Sequence, residues 1–357
     1  MNILSRKIFL FTIILLSTLL PGHTLYTANT FFEHIEGSAI NIYEENGNHL
    51  FSTAMEVVKG DRYISEDNFE YIIKEVTANK AVAEKIGKIN LLAGNQAKNQ
   101  GPFELASVKN KTVAIYHTHN GESYEPGKHN VSGKGEIHEI GQTLKESLEK
   151  IGVKAIHSEN LHLPHDGFAY ERSRATAVEL ARKNPGLILD LHRDGVPDKN
   201  EYLKEIGGKM ISQVRIVIGR QNPNSSVNDQ LARQLKATAD RTYPGLIKDI
   251  FYGRGNYNQS IAPRSLLLEF GTHVNNKGEV TASAQLLAEP LKELLYGKTT
   301  PAGGGKRIFR NLFWIILALI TALLAYLFIN EKNWQGVLKR IKKIIPLEIL
   351  DKNPDDK

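Results

Sequence analysis

Three apolar runs, each ending in residues that bind metals or move protons, constrain this chain more than anything else in it. Val113, Ala114, Ile115 and Tyr116 break into a loop that carries His117, His119 and Glu122. Residues 186–191 run into His192 and Arg193, and residues 265–268 run into Glu269. Unbroken aliphatic runs of this length mark strands buried on both faces, as in a parallel sheet covered by helices. Such sheets place their chemistry just outside the carboxyl ends of the strands. Three strand ends delivering His, Glu, His and Glu to one edge would make a metal hydrolase centre.

The segments between the runs fit that architecture. Ile137, Ile140, Leu144, Leu148 and Ile151 repeat at helical spacing, which predicts a helix over 136–151. Further helices are expected over 168–183, 227–243 and 281–295, and further strands over 152–157 and 211–219. Strands alternating with helices imply βαβ units, so the expected class is α/β: a mostly parallel sheet with helices on both faces, occupying 109–297. Ahead of it, 31–90 reads as a small β-rich module. Residues 40–43 alternate, Glu45 to Asn48 make a turn, 49–53 resume as a hairpin partner, and 68–76 form another strand. Residues 91–108, rich in Asn, Gln, Ala and Gly, read as a linker.

The chain has no cysteine, which excludes disulfides, iron–sulfur clusters, thiol catalysis and thiolate zinc sites. Any metal must be held by His and carboxylates. The net charge of +6 belongs to the ends. Residues 306–357 carry ten Lys/Arg against five Asp/Glu, and Arg6 and Lys7 add to the other end. The body between is close to neutral and lacks the basic footprint of a nucleic-acid binder.

Both ends read as membrane segments. Arg6 and Lys7 precede an apolar stretch to Leu20, the pattern of a signal peptide or N-terminal anchor over 1–25. After a Pro/Gly linker over 298–307, residues 308–329 are long and apolar enough for a transmembrane helix. Lys332, Lys339, Arg340, Lys342 and Lys343 follow it, so the positive-inside rule makes 330–357 a basic cytoplasmic tail and puts the body outside the cell membrane.

Zinc without thiolates takes two His, a carboxylate and an open position. His119 and Glu122 have the spacing His-x-x-Glu, and His192 at another strand end supplies the third donor. Glu269 is then free to act as general base on water. A Glu placed directly after Leu266, Leu267 and Leu268 sits where a carboxylate needs a partner or a task. Arg193 is a candidate to stabilise an oxyanion, or else a salt-bridge partner of Asp190 or Asp194. His117 alternates with His119 and either faces the other side or replaces it as ligand. Glu136 and Glu139 compete with Glu122, His273 is a candidate supporting contact, and Asn256, Tyr257 and Asn258 are candidates to line a groove.

In order along the chain, Tyr116-His117-Thr118-His119 with Glu122-Ser123-Tyr124, then Leu189-Asp190-Leu191-His192-Arg193-Asp194, then Leu268-Glu269 with Gly271-Thr272 and Asn275 resemble the stage II sporulation protein P family. These are cell-wall hydrolases of endospore-forming bacteria, and the resemblance runs from about residue 40 to 295. It implies a zinc-dependent N-acetylmuramoyl-L-alanine amidase with added endopeptidase activity on stem-peptide cross-links. It also implies thinning of septal peptidoglycan during engulfment, in company with stage II sporulation proteins D and M. By motif it implies His119 and His192 as Zn2+ ligands and Glu269 as catalytic acid/base. Related amidases draw their carboxylate from the start of the next helix, which keeps Glu136 and Glu139 open beside Glu122. The C-terminal span departs from members that rely on an N-terminal anchor. A zinc carboxypeptidase of wall peptides and a catalytically inert wall-binding scaffold are the other functions compatible with these residues.

Overall fold

The structure is a computed structural model that describes residues 37–92 and 109–297. The expected N-terminal segment, both linkers apart from residues 91 and 92, the span at 308–329 and the basic tail lie outside the described residues. Within them, no helix is long and apolar enough to cross a membrane.

Among the described residues, an eleven-stranded mixed sheet organises the molecule, in the order β2-β1-β5-β4-β3-β12-β11-β13-β8-β6-β7. Its first five strands in sequence are β1 (Ile40–Glu44), β2 (His49–Thr53), β3 (Arg62–Ile64), β4 (Phe69–Thr77) and β5 (Lys80–Lys88). The rest are β6 (Val113–Tyr116), β7 (Ala155–His157), β8 (Leu187–Asp194), β11 (Val214–Gly219), β12 (Ile247–Gly253) and β13 (Ser265–Thr272). β6, β7, β8 and β13 pair in parallel, as do β11 and β12, but β11 meets β13 antiparallel. The N-terminal strands are mostly antiparallel and join the sheet where β3 pairs with β12. Parallel pairing therefore predominates only in the C-terminal part, with β1 and β5 the parallel pair among the N-terminal strands, and the sheet as a whole is mixed. β9 (Leu203–Ile206) and β10 (Lys209–Ser212) form a separate two-stranded sheet.

Residue alternation sorts the two faces. One face buries Val113, Ile115, Leu189, Leu191, Ile216 and Leu268 beneath three helices. These are α1 (Ile137–Lys150), α3 (Ser225–Thr242) and α4 (Lys277–Tyr296). Ile137, Ile140, Leu144 and Leu148 of α1 are fully buried, each worth ~1.5–3 kcal/mol of transfer free energy. The helix α4 begins with a capping box between Asn276 and Glu279, four residues before the sequence pattern suggests. On the other face, Ala177 and Leu180 of α2 (Ala169–Arg182) pack on Ala114, Tyr116 and Ile188. The N-terminal strands cover the remainder: Phe51, Met55 and Tyr63 pack with Val217, Phe251 and Leu267.

β2 is the far edge of the sheet, yet Thr53 Oγ1 and the Ala54 N–H both donate to the carboxylate of Asp194 on β8. The N-terminal strands must curl back over the sheet to make these bonds. Asp194 also accepts from Tyr202 Oη at 2.9 Å and from Arg215 Nη1 at 3.0 Å. Arg215 pairs in turn with Asp249 at 2.7 Å, and all three charges are fully buried.

Candidate metal centre

Strand register builds the centre. Glu269 on β13 lies opposite His192 on β8, and Arg215 on β11 lies opposite Glu269, with Asp249 beyond it on β12. Residues opposite one another share a face, so these four form one polar row across four strands. It lies on the face that carries Leu267 and Val217. At Gly271 the backbone takes φ +67°, and a Cβ there would lie 2.0 Å from Ser212 Oγ. Only glycine fits this turn, which interrupts the pairing between Glu269 and Thr272.

The loop after β6 brings the other donors to the row. One atom each of His119, Glu122 and His192 lies within 4.8 Å of the others, and all three residues are buried. His119 Nδ1 is 3.5 Å from Glu122 Oε1, and the rings of His119 and His192 are 4.9 Å apart. Glu122 Oε2 is fixed by the backbone N–H of Arg193 at 2.9 Å. His192 Nε2 is 3.1 Å from Asp190 Oδ1, a charge contact that sets the orientation of the ring. Asp190 also accepts from the Thr118 N–H (2.9 Å) and Thr118 Oγ1 (2.6 Å), tying the His119 loop to the His192 strand. An orienting carboxylate behind a histidine is the usual companion of a metal ligand.

The electrostatics point the same way. Burial alone would pull the His192 pKa down, but Asp190, Glu122 and Glu269 outweigh it and push it up to about 10. Carboxylates gathered around buried imidazoles want a cation, and two His with one Glu are the thiolate-free zinc donor set. The residues fit the metal.

The competing residues lie elsewhere. Glu136 Oε2 accepts from the Tyr124 N–H, and its other oxygen pairs with Lys277 at 2.9 Å. Glu139, largely exposed, pairs with the same lysine. His117 meets His138 and His157, away from His119. Arg193 is buried, with Nε donating to the Ser123 carbonyl at 2.9 Å and Nη1 to the Asp194 carbonyl at 3.3 Å. Together with Ser123, His129, Lys128 and His273 it lines a cleft of about 760 Å³ beside the centre. Asn258 does not line that cleft; its Nδ2 donates to the Tyr170 carbonyl at 2.8 Å.

Two contributors have weaker sequence signals. Asp190 precedes His192 by two residues on the same strand face, a spacing that could have marked it as the orienting carboxylate. Tyr170 stacks on His192 with centroids 6.0 Å apart and lies edge-on to His119 at 5.6 Å. Nothing in the helical pattern around Tyr170 singles it out.

A family model described as stage II sporulation protein P matches residues 34–292. Stage II sporulation protein P of Bacillus subtilis (strain 168) is 29% identical over 250 residues, which cover 62% of this chain and 59% of that one. The match thus spans less than two-thirds of that relative's length. Among solved structures, N-acetylmuramoyl-L-alanine amidases of Clostridium difficile 630 and of Mycobacterium smegmatis each overlap with a TM-score of 0.36 at 14% identity. Each overlap covers 53% of this chain and 98% of the other.

Proposed function

Because the chain belongs to the stage II sporulation protein P family over residues 34–292, we propose that it is a zinc-dependent hydrolase of peptidoglycan. The bond it cleaves is the amide between N-acetylmuramic acid and L-alanine, with stem-peptide cross-links as a second substrate. Its setting is septal wall thinning and engulfment during sporulation, alongside stage II sporulation proteins D and M. The 308–329 segment would tether it to the cell membrane with the hydrolase outside.

The observation that carries this reading is the convergence of His119, Glu122 and His192 from two strand ends, with Glu269 in register beside His192. In this proposal the first three hold Zn2+, which when bound would polarise the scissile carbonyl and acidify water. Asp190 orients the His192 ring, and the Arg193 N–H keeps Glu122 aimed at the ligand position. Glu269 takes the proton from the attacking water and passes it to the departing L-alanine amine. Arg193, on the wall of the cleft, is positioned to meet the developing oxyanion or a stem-peptide carboxylate.

The test is digestion of purified peptidoglycan by the full chain in detergent, with products identified by mass. Stem peptides with a free L-alanine amine and peptide-free glycan, both lost with chelator, are the expected result. Release of terminal amino acids alone would make the protein a carboxypeptidase instead. A folded, zinc-loaded chain that releases nothing would support the inert scaffold.

A further inference from the structure

A second cluster of metal-ligating side chains lies on the helix-covered side of β6. One donor atom each of His117, His138 and His157 falls within 4.8 Å of the others. They come from three elements: the end of β6, the first turn of α1 and the end of β7. His117 Nδ1 lies 3.2 Å from the Leu191 carbonyl. A carbonyl only accepts, so Nδ1 carries the proton and Nε2 presents its lone pair. That lone pair is 2.8 Å from His157 Nε2, whose Nδ1 faces Gln142 Oε1 at 3.5 Å.

His138 is 5% exposed, and its Nδ1 is buried without a hydrogen-bond partner. Its Nε2 accepts from Asn120 Nδ2 at 3.0 Å, which leaves the ring proton on that partnerless Nδ1. The space between the rings is kept by Gly141, one turn along α1. A Cβ there would lie 2.6 Å from His117 Nε2 and 2.7 Å from His157 Nε2. Three converging imidazoles, two braced by acceptors on their far nitrogens, are a donor set suited to zinc, copper or nickel.

We propose that His117, His138 and His157 form a second, structural site for a divalent transition cation, distinct from the His119–Glu122–His192 centre. Zinc–nitrogen bonds of ~2.0–2.1 Å in a tetrahedron separate two nitrogens by ~3.3 Å, so the His117–His157 contact opens by about half an ångström on binding. Asn120 turns its amide wholly to the Asn160 carbonyl, already 2.8 Å away, and frees His138 Nε2 for the cation. The cation would clamp the start of α1 to β6 and β7, directly behind the loop that carries His119 and Glu122.

Zinc content of the untagged full chain, stripped with chelator and dialysed against zinc, tests the site. Two equivalents are expected in the wild type, one in His157→Phe, one in His138→Ala, one in His192→Ala and none in His157→Phe/His192→Ala. His157 is half-buried, so His157→Phe keeps the test open if His138→Ala fails to fold, as circular dichroism would show. A zinc content unchanged by His157→Phe in a folded chain would overturn the second site. A content unchanged by His192→Ala would count against the first centre alone.

Discussion

At the scale of single residues, the centre depends on side chains that touch no substrate. Asp190 bonds Thr118 and His192 together, so Asp190→Asn would loosen a ligand while leaving the ligand set intact. We expect zinc affinity to fall ~10–100-fold, read by competition with a chromogenic chelator. The carboxylate ligand is separable in the same way. Glu122→Gln should cost the catalytic equivalent of zinc, whereas Glu136→Gln, which disturbs only Lys277 and the Tyr124 N–H, should leave zinc content unchanged. A loss with Glu136→Gln and none with Glu122→Gln would reassign the third ligand.

At the scale of elements, Asp194 joins β8 to the curled N-terminal strands and shares Arg215 with Asp249. Removing one member of a buried charge network strands the others, at about 3–5 kcal/mol. Asp194→Ala should therefore lower the denaturant midpoint by a corresponding amount, and an unchanged midpoint would show that the network contributes nothing. These long-range partners also mark what the sequence could not convey. The runs before His119, His192 and Glu269 were legible because strands buried on both faces are written in unbroken aliphatics. β12 was not, because Lys248 and Asp249 interrupt it with charges that look exposed. Asp249 is buried and Lys248 partly so, and Arg215 and Glu201 neutralise them from elsewhere in the chain. The expected strand at 211–219 divides at Gln213, whose N–H bonds Tyr202 while Val214 bonds Leu246. The His138 and His157 pairing with His117 was hidden for the same reason: contacts across elements leave no local period.

At the scale of the whole molecule, the buried histidines tie stability to pH. His138 and His157 titrate near 4 in the fold, against about 6.5 when unfolded. Burial is the main cause for both, with Lys134 adding to it, while Glu159 opposes it. The unfolded chain then binds more protons between those values, so stability rises with pH across that window. The metal-free protein should be fully stabilised by this pair above about pH 6.5 and lose that contribution as pH falls toward 4. Thermal unfolding at stepped pH checks the sign. Replacing both residues with Phe should flatten the slope.

The reading of the centre itself stands or falls on Glu269. Glu269→Gln removes the base but not a proposed ligand, so the variant should keep its zinc and its fold. Peptidoglycan hydrolysis by the zinc-loaded variant should fall by ~10²–10⁴, the usual worth of a general acid–base. A zinc-loaded, folded Glu269→Gln protein that cleaves peptidoglycan at the wild-type rate would contradict the account.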